Sequence, residues 1–232
     1  MNKAIGLFAL AIALVALPAA AQAPARGPQE CAALRNLQLP GVALTEISAE
    51  WMPAGPPPNL PPGFKIVLPA HCRMEGTLER RKGVDGQPYG IGFALALPGT
   101  WNGRFLFQGG GGFNGVLAPP YGTTVAGDMS ALARGFAVVS TDSGHRAPKG
   151  NALDTTFLGD QQASLDFAYR AVDRVTAVAK VIIAQHYVQP IARSYYVGCS
   201  TGGREAMLAA QRHPLEFDGV IAGAPNMRVY YS

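Results

Sequence analysis

The chain has 232 residues, of which 48% are hydrophobic and 15% are charged. This charged fraction lies well below the roughly 25% of an average soluble domain, which excludes a charged coiled coil and a solvated disordered chain. The net charge is +4 and the basic residues are scattered, so the charge pattern does not favour nucleic-acid binding. The length accommodates one large domain or two small ones with a hydrophobic core.

The N-terminus carries the pattern of an export signal. Lys3 is followed by an apolar run from Ile5 to Leu17 and then by small residues. The run is shorter than the roughly 20 residues that a membrane-spanning helix needs, which favours a cleaved signal over a membrane anchor. We predict a signal peptide at residues 1–21 and a secreted or periplasmic protein with no membrane partner after cleavage.

Export places the three cysteines, Cys31, Cys72 and Cys199, in an oxidising environment. Because three is odd, either one thiol is free or its partner lies outside this chain. A proline- and glycine-rich segment lies between the first two cysteines, and a disulfide would fasten it to the rest of the fold. We predict a bridge between Cys31 and Cys72, with two unpaired buried cysteines as the alternative, and an N-terminal arm over residues 22–88.

From Tyr89 onwards, strand patterns alternate with helix patterns. Short apolar runs and strict alternation predict strands at residues 91–97, 104–108, 136–141, 194–197 and 217–222. Apolar residues at three- and four-residue steps predict a long helix over 161–186, and a second helix follows at 202–213. This order predicts a parallel sheet covered by helices, so we assign residues 89–232 to one α/β domain.

A G-x-S-x-G pattern falls between the predicted strand at 194–197 and the helix that follows it. It comprises Gly198, Cys199, Ser200, Thr201 and Gly202. In this context the serine lies on a strained turn that exposes its hydroxyl at the carboxyl edge of the sheet, and the small residues on either side let strand and helix approach. We predict that Ser200 is a nucleophile and that the Thr201 N–H binds an oxyanion. The alternative is an ordinary glycine turn that opens a helix.

Four consecutive glycines, Gly109 to Gly112, follow the predicted strand at 104–108. Backbone N–H groups of such a loop can face a substrate closely because no Cβ intervenes, so the loop is predicted to supply a second oxyanion donor. A phosphate-binding loop is the alternative. We disfavour it because no Lys-Ser/Thr pair follows and no G-x-G-x-x-G leads into a helix.

Several stretches together resemble the tannase and feruloyl esterase family. They are Trp101–Phe105, GGGGFNG, Thr141–His145, GCSTGGREAM and FDGVIAGAP. The resemblance extends from about Cys31 to Pro225. It implies the N-terminal part of an α/β-hydrolase fold and the hydrolysis of esters of aromatic acids such as gallate, ferulate or terephthalate, which makes a small-molecule ester the expected partner.

The resemblance also implies roles for individual residues. Ser200 would be the nucleophile, and Gly112 and Thr201 would supply the oxyanion N–H groups. Cys199 would form half of a disulfide whose other cysteine follows the catalytic histidine, so its partner is expected outside this chain. Cys31 and Cys72 match the N-terminal bridge of the family.

The acid and base of a serine triad are not evident in this sequence. On this fold they follow the serine in the order Asp or Glu, then His. After Ser200, His213 ends the helix that begins at the serine, and Asp218 opens the next strand at the opposite end of the sheet, so we expect structural roles for both. His145 follows an earlier strand and is expected to be a pocket or structural residue.

We therefore predict that residues 89–232 form a partial catalytic domain, truncated before the lid. By resemblance, calcium is expected in that lid, and no metal or other cofactor is expected in this chain. Arg204 and Glu205, directly after the G-x-S-x-G pattern, are expected to pair or cap in structural roles. Two other functions stay open: a secreted binding protein on a hydrolase scaffold, and another acyl-transfer enzyme.

Overall fold

The computed structural model describes residues 24–58, 66–122, 129–149 and 151–227. The predicted signal peptide at residues 1–21 lies outside these ranges, as does the end of the proline-rich segment. Across the described ranges, no helix combines the length and the apolar character needed to cross a membrane.

In the described part of the chain, seven strands form one sheet in the order β1-β2-β3-β5-β4-β6-β7. The pairs β1–β2, β2–β3 and β3–β5 are antiparallel, and the pairs β5–β4, β4–β6 and β6–β7 are parallel. The predicted α/β fold is confirmed, with a mixed sheet whose parallel half contains the G-x-S-x-G turn. The strands are Leu44–Met52 (β1), His71–Lys82 (β2), Pro88–Pro98 (β3), Arg104–Gln108 (β4), Ala137–Thr141 (β5), Arg193–Cys199 (β6) and Gly219–Gly223 (β7).

The helices are Pro28–Ala33 (α1), Gln161–Leu165 (α2), Ala171–Tyr187 (α3) and Thr201–Arg212 (α4). A π-helical turn, Asp166–Arg170, joins α2 to α3, so the predicted helix over 161–186 is continuous but widened at one turn. The apolar side of α3 is buried in the same core as β3 and β5. Trp101 closes this core, because its indole stacks on Tyr187 at 4.4 Å and donates a hydrogen bond of 2.8 Å to the Arg104 carbonyl.

The sequence analysis missed β1 and β2. Both strands lie in the predicted N-terminal arm, where proline and glycine dominate the pattern, yet β2 pairs with β3 over most of its length. The predicted boundary between residues 88 and 89 falls at the beginning of β3. The division into an arm and a catalytic domain stays a prediction, and the structure adds that the arm supplies one end of the sheet.

The predicted disulfide between Cys31 and Cys72 is confirmed. It joins α1 to β2 across a sequence separation of 41 residues, and both cysteines are fully buried. Cys199 is a free, exposed thiol in the described part of the chain. The bridge therefore fastens the N-terminal segment to the antiparallel half of the sheet, far along the chain from the G-x-S-x-G turn.

Replacement of both Cys31 and Cys72 by alanine should lower the free energy of unfolding by about 4 kcal/mol, because a loop of this length is no longer closed in the unfolded chain. Chemical denaturation of the protein and its double variant measures the difference. As a control, a reductant should shift the midpoint of the parent protein further than that of the double variant. Equal midpoints for the parent and the double variant would contradict the prediction.

Candidate active site

Ser200 occupies the turn between β6 and α4, in a backbone conformation that residues with a side chain rarely adopt. Its φ is 59° and its ψ is −119°. Its N–H donates to the Gly223 carbonyl at 3.1 Å, and its carbonyl accepts from the Asn226 N–H at 3.1 Å, so the end of β7 holds the turn in place. The side chain is exposed at the carboxyl edge of the parallel strands. Strain of this kind, held by surrounding contacts, is typical of a nucleophile turn.

Glycine is required on both sides of this turn because the backbones are in contact. A Cβ on Gly198 would lie 2.3 Å from the Gly202 carbonyl oxygen, and a Cβ on Gly202 would lie 2.6 Å from the Gly110 carbonyl oxygen. Neither position can accept a side chain without moving backbone. Gly198 thus lets β6 and α4 approach, as predicted, whereas Gly202 lets α4 approach the glycine loop after β4.

The glycine loop after β4 lies directly against the beginning of α4. The Gly202 N–H donates to the Gly110 carbonyl at 3.0 Å, and the Thr201 hydroxyl donates to the Gly112 carbonyl. The structure thus brings together Gly112 and Thr201, the two residues to which the resemblance assigns the oxyanion donors. Neither residue's own N–H donates a hydrogen bond within the described residues, so both are available to a bound group. Their roles as oxyanion donors stay a prediction.

The acidic and histidine candidates after Ser200 lie away from it. His213 ends α4, a helix of 12 residues and therefore about 18 Å long, and its Nδ1 lies 3.6 Å from an Asp173 carboxylate oxygen. The Asp218 carboxylate accepts from the Ser194 N–H at 2.8 Å, at the amino end of β6. Both residues therefore hold the scaffold together, as expected.

His145 is also a packing residue. Its imidazole is 2% exposed and stacks on the Phe157 ring at 3.7 Å, with Phe167 against its edge. Burial lowers the pKa of His145 to about 4, so the ring is neutral at physiological pH. Of the two roles expected for it, the structure favours the structural one.

Arg204 and Glu205 have partners far away in sequence. The Arg204 guanidinium donates to the Phe167 carbonyl at 3.0 Å and the Ala168 carbonyl at 3.2 Å, in the π-helical turn, and lies 4.3 Å from the centre of the Phe167 ring. Glu205 is 2% exposed and accepts hydrogen bonds from the glycine loop. The sequence contains no local pattern that could have revealed these contacts.

No group of three or more His, Cys, Asp or Glu side chains within the described residues is arranged to hold a metal ion. The calcium that the resemblance implies was expected in a lid outside this chain. It stays a prediction about that segment.

Comparisons with known proteins identify relatives of this chain. A family model described as tannase and feruloyl esterase matches residues 72–230. Mono(2-hydroxyethyl) terephthalate hydrolase of Piscinibacter sakaiensis is 40% identical over 208 residues, which are 86% of this chain and 34% of the relative. A probable feruloyl esterase B-1 of Neosartorya fischeri is 43% identical over 130 residues, 56% of this chain and 23% of the relative.

Solved structures agree with these matches. Feruloyl esterase B from Aspergillus oryzae has a TM-score of 0.68 at 30% identity, over 85% of this chain and 37% of that one. Tannin acyl hydrolase from Aspergillus niger, at 22% identity and a TM-score of 0.58 over 86% of this chain and 36% of that one, shares the fold. The α/β-hydrolase fold is confirmed. This chain spans about a third of the length of several of these relatives.

Substitution of Gly198 by alanine should destabilise the protein by at least about 2 kcal/mol, because its Cβ overlaps a backbone carbonyl of α4. Gly111 is the matched control in the neighbouring loop, since a Cβ there meets nothing within 4 Å. Thermal unfolding of the two alanine variants measures the difference. Equal stability of the two variants would contradict the close packing of β6 on α4.

Replacement of His145 by phenylalanine should make the protein less sensitive to acid. Because the pKa of His145 is about 4 when folded and near 6.5 when unfolded, protonation favours the unfolded chain as the pH falls from 6.5 towards 4. Between pH 6.5 and 4, the unfolding free energy of the variant should fall less steeply than that of the parent protein, by up to about 1.4 kcal/mol per pH unit. Unfolding free energies measured at several pH values test it. An unchanged slope would contradict the buried, neutral imidazole.

Proposed function

Because the chain belongs to the tannase and feruloyl esterase family, we propose that it is the nucleophile-bearing part of a secreted carboxylic ester hydrolase. The observation that carries this proposal is the backbone of Ser200, whose φ of 59° and exposed side chain place it on a strained turn between β6 and α4. A structural glycine turn has no need for a strained serine at this position.

In the proposed mechanism, the Ser200 hydroxyl oxygen attacks the carbonyl carbon of an ester. The carbonyl oxygen takes up negative charge and receives hydrogen bonds from the N–H groups of Gly112 and Thr201, each worth on the order of 3 kcal/mol in the transition state. The positive end of the α4 dipole adds to this stabilisation. Collapse expels the alcohol and leaves an acyl-enzyme, which water then hydrolyses to release the acid.

The proton of Ser200 needs a base that then delivers it to the oxygen of the leaving alcohol, and we assign that role to a histidine in the remainder of the protein. The chain's own histidines have other surroundings. His145 is buried against phenylalanines, His213 lies at the far end of α4, and the Nδ1 of His71 lies 2.7 Å from the Pro69 carbonyl oxygen. His186 is buried at the end of α3. An aspartate or glutamate would orient the missing base.

The proposed substrates are esters of aromatic acids. The names of the family and of the relatives support this class, since tannins, feruloyl esters and a terephthalate ester all contain an aromatic acyl group. Secretion is supported by the N-terminal signal pattern and by the Cys31–Cys72 bridge, which requires oxidising surroundings to persist.

The role of Ser200 is tested in the natural full-length protein. Incubation with a fluorophosphonate should attach one group, which peptide mapping should locate at Ser200. Ser200→Ala should abolish labelling and reduce kcat by at least about 10³-fold. Ser48→Ala, at an exposed position of β1, is the matched control and should label and react normally. An active Ser200→Ala variant would refute the nucleophile assignment.

The substrate class is tested with methyl gallate, methyl ferulate and mono(2-hydroxyethyl) terephthalate, against methyl butyrate as an aliphatic control. We expect kcat/KM for at least one aromatic ester to exceed that for the butyrate by 10-fold or more, about 1.4 kcal/mol in transition-state binding. Equal values would contradict the aromatic assignment. Binding of the esters without hydrolysis or labelling would favour a binding protein, and transfer to an added alcohol in preference to water would favour an acyltransferase.

A further inference from the structure

Glu205 is a buried carboxylate that the proposed mechanism does not use. It lies in α4, five positions after Ser200, and is 2% exposed. A carboxylate is costly to remove from water unless hydrogen bonds replace its hydration. The hydrogen-bond donors around the Glu205 carboxylate therefore indicate which elements it holds together.

Each carboxylate oxygen of Glu205 accepts two hydrogen bonds. Oε2 accepts from the Gly110 N–H at 3.2 Å and from the Tyr196 hydroxyl at 2.9 Å. Oε1 accepts from the Asn114 amide at 2.6 Å and from the Ser143 hydroxyl at 2.9 Å. All four donors are neutral groups. They come from the segment after β4, the turn after β5 and strand β6, so one carboxylate connects α4 to three neighbours.

The contact with Gly110 bears directly on the glycine loop. The N–H of Gly110 donates to Glu205, and its carbonyl accepts from the Gly202 N–H, so both polar groups of this residue are bound to α4. Gly112, two residues later, has a φ of 59° and its carbonyl accepts from the Thr201 hydroxyl. A run of glycines has no side chains to fix its conformation. Its orientation therefore depends on its hydrogen bonds: those to α4, and one from the Gly109 N–H to the Val197 carbonyl of β6.

The Tyr196 hydroxyl must keep its proton to donate a hydrogen bond to Glu205. Burial, followed by the nearby Glu205 carboxylate, raises the pKa of Tyr196 well above its usual value, so the phenol stays a donor. The Asn114 amide also contacts the Ser143 hydroxyl, which closes the network on the Oε1 side.

We propose that Glu205 is a positioning residue for catalysis: its carboxylate holds the Gly110 peptide against α4 and thereby orients the Gly112 N–H toward the oxyanion. This inference rests on the proposed esterase function. It predicts a specific defect, because a misaligned oxyanion donor weakens binding of the transition state and leaves binding of the substrate largely intact.

Glu205→Gln in the natural full-length protein tests the inference. The glutamine has nearly the same volume, but its amide nitrogen cannot accept the two donors that face one of the oxygens. We expect kcat to fall by about 10- to 100-fold, with KM within about threefold of the parent value. Glu216→Gln, which changes a carboxylate paired with Lys180 beyond the end of α4, is the matched control and should leave both constants unchanged.

A second measurement separates positioning from a general structural role. An arylboronic acid forms a tetrahedral, negatively charged adduct at a catalytic serine, and its affinity should fall in parallel with kcat in Glu205→Gln. An aromatic substrate analogue with a methylene in place of the carbonyl should bind with unchanged affinity. Parallel loss of both affinities, or loss of neither, would overturn the inference.

Two further variants separate a failure of the positioning role from a failure of the proposed esterase function. If Glu205→Gln does not fold, the affinities of Tyr196→Phe for the boronic acid and for the methylene analogue test the inference instead. This variant removes one donor to Oε2 at almost constant volume. A folded Tyr196→Phe variant with unchanged kcat and boronate affinity would then overturn the inference. If Ser200→Ala is inactive while Glu205→Gln behaves like the parent, the positioning role fails alone. An active Ser200→Ala variant would refute the esterase mechanism itself.

Discussion

The geometry of the candidate site depends on the close approach of β6 and α4. A Cβ on Gly198 would overlap the Gly202 carbonyl oxygen of α4, and a Cβ on Gly202 would overlap the Gly110 carbonyl oxygen of the glycine loop. Ser200 lies between these two glycines in a strained conformation and is exposed at the carboxyl edge of the sheet. The close approach also places the beginning of α4 against the glycine loop, so that the Gly202 N–H binds the Gly110 carbonyl. A side chain at either glycine would separate these elements.

A polar constraint complements the steric one. The Glu205 carboxylate is buried in α4, where only hydrogen bonds can offset its lost hydration, and it receives them from the glycine loop, from Asn114 just after it, and from the neighbouring Ser143 and Tyr196. The contact of Gly202 with Gly110 sets the distance between the loop and α4, and the Glu205 carboxylate sets the orientation of the Gly110 peptide. Together they account for a defined backbone conformation in a segment whose own sequence favours none.

The sequence predicted those parts of the fold that depend on local patterns. Alternation revealed β3, short apolar runs revealed β4, β5 and β6, and the G-x-S-x-G pattern revealed the turn at Ser200. In contrast, β1 and β2 were missed because the proline- and glycine-rich residues between them favoured an irregular arm, and because β1 pairs with β2 and β2 with β3, contacts that no local pattern reveals. The sequence suggested a structural role for Glu205 but not its partners, since Asn114 and Gly110 lie 91 and 95 residues earlier in the chain.

The most direct test of the account is a crystal structure of the natural full-length protein after reaction with an aryl phosphonate. We predict a covalent bond from phosphorus to the Ser200 side-chain oxygen. The non-bridging phosphonyl oxygen should accept hydrogen bonds from the N–H groups of Gly112 and Thr201, at about 2.7–3.1 Å. A phosphonate attached to another residue, or one whose oxygen points away from both N–H groups, would contradict the assignment of this turn and loop as the catalytic centre.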